Sequence, residues 1–364
     1  MNGTTGAAEL YSESPDGGPG EADVEYVRRR RLILGFSTIT LVAVLFIVPC
    51  FGPIHIPWTK VVASIVTLDA SSYEGRIVWN IRMVRLVGAV IAGAGLSVCG
   101  TVMQCILRNP LASPYTLGLS NAAAFGAAFS IVFAGAGSMA SSSISINNPF
   151  ITTISAFVFS MLATGLIALL TRITRISAET MVLAGIAISA IFSALLSFTQ
   201  YVATDSQLGN IVSWMFGDVG KANWTWDLAI LAILIPITVY FLLKRWDYNA
   251  MDAGEDTARS LGVNTSRERM VGMVLSSLLC SVIVSFFGII AFIGLLGPHI
   301  ARMVLGGDHR YLIPGSMIIG AVILVVSDQI GMYVIQPEVL PVGIITSMVG
   351  GPLFIYLLAR RYRA

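Results

Sequence analysis

Nine stretches of this sequence are apolar for longer than the core of a water-soluble domain can use: about 32–53, 86–107, 115–135, 150–171, 179–203, 225–243, 270–296, 311–335 and 341–358. An α-helix needs about 20 residues to cross the hydrocarbon of a bilayer, and most of these runs reach or approach that length. The seventh continues almost unbroken through Leu305, interrupted by Gly288, Gly294 and the Gly297-Pro298 pair. Glycine and proline are where such a stretch bends back, so it divides into 270–288 and a shorter helix over 292–305. The expected fold class is an all-α polytopic membrane protein of about ten transmembrane helices. Composition agrees, because only 12% of the residues are charged against about 25% in soluble chains. That leaves too little polar surface to coat a globule in water, so the exterior faces the lipid bilayer.

An even number of spans puts both termini on one side, and the basic residues test this. With the N-terminus in the cytoplasm, the inner segments hold 17 of the 22 Lys and Arg; Lys60, Arg76, Arg82, Arg85 and Lys221 fall outside. Residues 1–26 carry six acidic groups and no Lys or Arg, which is not the basic start of a signal peptide. Residues 1–31 are expected to be a disordered acidic tail ending in the basic flank Arg28–Arg31, and 32–364 a single transmembrane domain. The formal net charge of +2 gives no reason to expect a nucleic-acid partner. Cys50, Cys99, Cys105 and Cys280 form no CxxC pair, and His55, His299 and His309 are far apart in sequence. Neither a disulfide framework, a metal site nor a resident cofactor is expected.

The inner segment 246–269 has more structure than a connector needs. Glu255 and Asp256 sit where a first helical turn favours negative charge, Arg259 follows one turn later, and Gly262 fits the stop. Ala253, Ala258 and Leu261 would form a small apolar face, so a short helix is expected with something to dock against. No GxxxxGK[ST] is present, since Gly220-Lys221 continues with Ala222, so the chain has no nucleotide-binding loop. An ion-coupled carrier would favour ionisable groups within the spans, and Asp328 is the main one. That reading stays open as the alternative, while catalytic constellations such as HExxH or GxSxG are absent. On the fifth span Ser189, Ser193, Ser197 and Gln200 share one helix face, fitting either close packing or the lining of a pathway. Gly88, Ala92, Gly95 and Gly100 on the second span read as packing.

Four stretches together resemble the FecCD family, the permease subunits of type II ABC importers for iron chelates and vitamin B12. RNPLASPYTLGLSNAAAFGA (Arg108 to Ala127) resembles RNPLADPYxLGxSSGAAxGA, and GEDTARSLGVN (Gly254 to Asn264) resembles GEDxAxxLGVN. GIIAFIGLLGPHIARMVLGGDHRYLIPGS (Gly288 to Ser316) and LPVGIITSMVGGPLFIYLL (Leu340 to Leu358) resemble GxIxFIGLxxPHIxRxxxGxDHRxLLPxS and LPVGxxTAxxGxPxFxxLL. The resemblance implies a ten-helix permease in the plasma membrane, forming a homodimer with two copies of an ABC ATPase and an extracytoplasmic substrate-binding protein. ATP and Mg²⁺ would sit on the ATPase, and the cargo would be a siderophore- or haem-bound iron or a cobalamin. Gly254, Glu255, Asp256, Ala258, Arg259, Leu261 and Gly262 would be the coupling helix. Arg82 and Arg85 would meet acidic residues of the binding protein, in an RMVR setting where the family has RLPR; a further family arginine is Met332 here. Ser177 to Glu179 would approach the two-fold axis, as a gate or simply as a helix start.

Overall fold

The computed structural model describes residues 21–136, 149–174 and 177–361, and no strand occurs among them. Residues 1–20 of the expected tail lie outside the described residues. From Glu21 the chain is helical: α1 (Glu21–Ile47) starts ahead of the apolar run. Once the apolar part has formed, each added residue costs little, so the basic flank Arg28–Arg31 is drawn into the same helix.

The chain continues through a short α2 (Trp58–Val66) into the long α3 (Tyr73–Ile106), whose start is loosened by a π-type stretch over Val78–Met83. The stretch 54–80 between the first two apolar runs is thus largely helical. Then follow α4 (Leu119–Phe133), α5 (Pro149–Thr174), α6 (Ala178–Val202) and α7 (Asp205–Met215). After α8 (Trp224–Leu243) the polar inner segment forms two helices rather than one, α9 (Arg245–Ala253) and α10 (Glu255–Ser260). The chain ends with α11 (Thr265–Phe287), α12 (Ile293–Leu305), α13 (His309–Tyr333) and α14 (Val342–Arg361). Seven of these are long and apolar enough to cross a membrane, and α4, α12 and α14 are shorter apolar helices, which makes ten.

The division between α11 and α12 falls at Gly288, with φ +80°, as its flexibility suggests. Gly294 and Gly297-Pro298, expected to interrupt the run, instead lie inside α12. Gly294 sits in a close backbone contact: a Cβ on it would stand 3.0 Å from the Leu96 carbonyl oxygen, and a Cβ on Gly100 1.7 Å from the Gly294 carbonyl oxygen. Likewise a Cβ on Gly93 would stand 2.5 Å from the carbonyl of Gly320. In lipid, where water does not drive helices together, such backbone approach is what gains dispersion contact. The row of small residues on α3 therefore makes it the axis of the bundle, enclosed by α11, α12 and α13. By contrast α1 is buried over only 6% of its most apolar window, and α5 and α6 over 28% each.

Polar groups collect at the two ends. Arg30, Gln104, Asp252, Arg302 and Asp308 mark the end that carries α10, while Arg82, Arg85, Asp218 and Asp328 mark the opposite end.

Candidate coupling segment, docking arginines and pathway face

The α10 segment is bracketed by two glycines that no other residue replaces easily. Gly254 has φ +132° and ψ 153°, a region essentially closed to side chains. Gly262, with φ +84°, completes a Schellman stop: its N–H donates to Arg259 at 3.0 Å, and that of Val263 to Ala258 at 2.9 Å. Asn264 then caps α11 by accepting from the Arg267 N–H at 3.0 Å.

Arg269 fixes this short helix to the bundle. It is 1% exposed, and its Nε donates to the Ile106 carbonyl at the end of α3 at 2.8 Å. Its guanidinium reaches Glu255 Oε2 at 3.2 Å, while Arg259 reaches Oε1 at 2.6 Å. Thr265 adds a hydrogen bond to Glu255 at 3.4 Å. Burial pushes the Glu255 carboxyl up, but the hydrogen bond and charge of Arg269, joined by Arg259, outweigh it and hold the group below its ordinary range. The inner face of α10 is therefore a carboxylate clasp on a buried arginine.

The outer face is free. Ala258 is buried, but Ala253 is exposed, and Leu261 is 69% exposed, so these three do not form the single inward apolar face expected. Buried Ala258 lets α10 lie close to the bundle, while Asp256 and Leu261 are exposed.

At the opposite end the two arginines are engaged internally. The Arg85 guanidinium makes a two-pronged pair with Asp328, Nε to Oδ2 and Nη2 to Oδ1, each at 2.8 Å. Asp218 lies 3.7 Å away. Arg82 donates to the Pro49 carbonyl at 2.7 Å and to that of Ile54, holding the segment that follows α1. Both border a mainly apolar cavity of about 250 Å³, with Met332 also on its wall. Asp328, the ionisable group noted within a span, thus has its charge matched by Arg85. Sequence reading passed over Asp227 on α8, which is 1% exposed with neither carboxylate oxygen hydrogen-bonded among the described residues.

On α6, Ser193 and Ser197 are exposed, and Ser189 and Gln200 are half-buried. Ser189 Oγ accepts from Asn121 at 2.8 Å, tying α6 to α4. Ser197 donates to the Ser193 carbonyl at 3.0 Å, and Gln200 Nε2 stands 3.9 Å from the Met215 sulfur. The four residues thus divide into a packing half and a surface half. Ser177 is a helix cap, its Oγ accepting from the Thr180 N–H at 3.1 Å, and Glu179 is exposed in the first turn of α6.

The FecCD transport family model matches residues 39–360. A Methanocaldococcus jannaschii chain named as an ABC transporter permease is 46% identical over 337 residues, which cover 92% of this chain and 96% of that one. The hemin transport system permease protein of Yersinia pestis is 34% identical over 332 residues, covering 91% and 96%. A solved structure described as an inward-facing metal-chelate type ABC transporter superposes with a TM-score of 0.78 at 27% identity, covering 91% of this chain and 99% of the other.

Proposed function

Since the chain belongs to the FecCD transport family, as the permease subunit of an ABC importer, we propose that it forms a homodimeric channel carrying a metal chelate into the cytoplasm. Two copies of a separate ATPase drive it, binding ATP and Mg²⁺ that this chain has no loop to hold. An extracytoplasmic binding protein delivers the cargo. The end that bears α10 is cytoplasmic, as are both termini, in keeping with the 17 of 22 basic residues on that side.

The observation that carries this reading is α10 itself. It is a short helix anchored at its base by Arg269, with Asp256 and Leu261 exposed. A rigid mount with a free outer face is what a partner needs in order to push on the bundle. On the outer side the Arg85 charge is taken by Asp328, so docking of the delivery protein rests mainly on Arg82. The hemin permease relative and the metal-chelate type neighbour support an iron chelate, siderophore or haem, as cargo, with cobalamin second. The alternative, an ion-coupled carrier, loses Asp328 to its pairing with Arg85 and would rest instead on Asp227, buried without a hydrogen-bond partner among the described residues.

Reconstitution in proteoliposomes with the ATPase and the binding protein tests this. ATP-dependent uptake of haem or a ferric siderophore is expected, with no hydrolysis by the chain alone. Leu261→Asp together with Arg259→Glu should abolish uptake while the chain still folds. Uptake by the chain alone under an ion gradient would overturn the reading, and uptake of cobalamin but neither iron complex would overturn the cargo.

A further inference from the structure

Where α5 ends and α11 begins, the two helices leave between them a groove of about 660 Å³. Its floor is apolar, lined by Leu169 from α5 and by Met270, Val271 and Val274 from α11. Leu169 is 54% exposed, and the three α11 side chains are half-buried, so neither wall is fully covered by its neighbour. The rim is basic. Arg172, in the last turn of α5, and Arg267, in the first turn of α11, both line it and both are exposed.

The charges at this rim are unspent. Neither guanidinium has an ion pair or hydrogen bond to a described residue. The carboxylates nearest in sequence to Arg267 are taken elsewhere, Glu268 by Lys244 at 2.9 Å and Glu255 by Arg259 and Arg269. Ser266 also lines the groove, at the end of α11 that its peptide dipoles make positive. From Arg267 to Val274 is two turns, about 10 Å, over which a cationic mouth gives way to hydrocarbon.

We propose that this groove seats one anionic phospholipid, its phosphate between Arg172 and Arg267 and a chain along Leu169, Val271 and Val274. A free anion would leave the apolar floor uncovered, and a neutral lipid would leave two arginines unanswered. Guanidinium groups hold phosphate oxygens through paired N–H donors. Arg172 closes an apolar span, so the rim stands at the level of the headgroups, where basic pockets between helices take acidic lipids. Placing the lipid in the cytoplasmic leaflet rests on the topology proposed above, whereas the binding itself does not. Once seated, the lipid ties α5 to α11 close to the Gly262 stop and stiffens the mount of α10.

The full-length chain in a neutral detergent is titrated with phosphatidylglycerol or phosphatidylcholine and followed by native mass spectrometry. One phosphatidylglycerol per chain is expected, held at least tenfold more tightly than phosphatidylcholine. Arg172→Gln/Arg267→Gln should abolish that preference. Leu169→Glu, at an exposed position that accepts a polar side chain, should weaken binding by taking up the Arg172 charge. Arg28→Gln/Arg31→Gln, which removes two exposed arginines of α1 outside the groove, should leave it unchanged. Equal affinity for the two lipids in the native chain would overturn the proposal. So would a preference that survives in Arg172→Gln/Arg267→Gln, or one that the α1 pair removes equally. Displacement of the lipid by millimolar inorganic phosphate would make this a free-anion site, and displacement by the ATPase subunit would make it partner surface; either result overturns the lipid assignment. Failure of ATP-driven uptake would leave all of these binding outcomes as they are.

Discussion

At the scale of single residues, two carboxylates decide how the ends of the molecule are held. Glu255 is held below the ordinary carboxylate range by Arg269 and Arg259 against the opposing effect of burial. A carboxylate depressed in the folded state contributes stability above its unfolded pKa and loses it as pH falls through the folded value. The α10 clasp should accordingly be intact at neutral pH and open only below the usual glutamate range of about 4.3. Glu255→Gln should reproduce that acid state at pH 7, seen as faster proteolysis within 253–263 with the rest of the chain unchanged. The second carboxylate, Asp328, is 3% exposed and faces an Arg85 side chain 15% exposed. Removing one partner of a buried pair strands the other charge, at a cost of about 3–5 kcal/mol. Thermal unfolding should therefore show Arg85→Ala strongly destabilised. The double variant Arg85→Met/Asp328→Leu should recover most of that loss, since it leaves no charge behind.

At the scale of elements, glycine chemistry separates the positions that carry strain from those that carry contact. Gly254 adopts φ +132° with nothing closer to an added Cβ than Thr257 at 3.5 Å, so only the backbone resists substitution there. Gly254→Ala should distort the start of α10 and uncouple ATP hydrolysis from uptake with little change in overall thermal stability. Gly100→Ala should do the reverse, forcing α3 away from α12 and lowering stability of the whole bundle. Gly165→Ala on α5, where an added Cβ meets nothing within 4 Å, should be neutral or stabilising by about 0.5–1 kcal/mol. The small-residue row on α3 was legible in the sequence, because spacing alone reveals it, and so was the stop at Gly262. The breaks at Gly294 and Gly297-Pro298 misled, because a glycine that admits a neighbouring backbone looks in sequence like one that ends a helix. Helices α7 and α9 were not anticipated: both are short and amphipathic, and hydropathy alone reads such segments as connectors.

At the scale of the whole molecule, the apolar runs were enough to give the ten helices, since the bilayer imposes a length that composition displays directly. Which groups face one another across the bundle was not legible. Arg85 and Asp328 read as a docking charge and a lone intramembrane acid because 243 positions separate them, and no periodicity reports a pairing of that range. The same limit hid the partners of Ser189 and left the pathway face unresolved between packing and lining. The structure narrows that question to Ser193 and Ser197, which are exposed on α6. Ile191, 58% exposed, lies about 200° round the helix from Ser193 and serves as the lipid-facing control. Of the native thiols, Cys99, Cys105 and Cys280 are buried, so Cys50→Ser gives a quiet background. If two copies enclose a pathway between their α6 helices, Ser193→Cys and Ser197→Cys should react with a charged, water-soluble thiol reagent, and cysteines from two chains should cross-link. Ile191→Cys should do neither, because a thiol in hydrocarbon is neither ionised nor reached by such a reagent. Equal silence at all three positions would make this surface a lipid contact, and the channel would then have to run along another face.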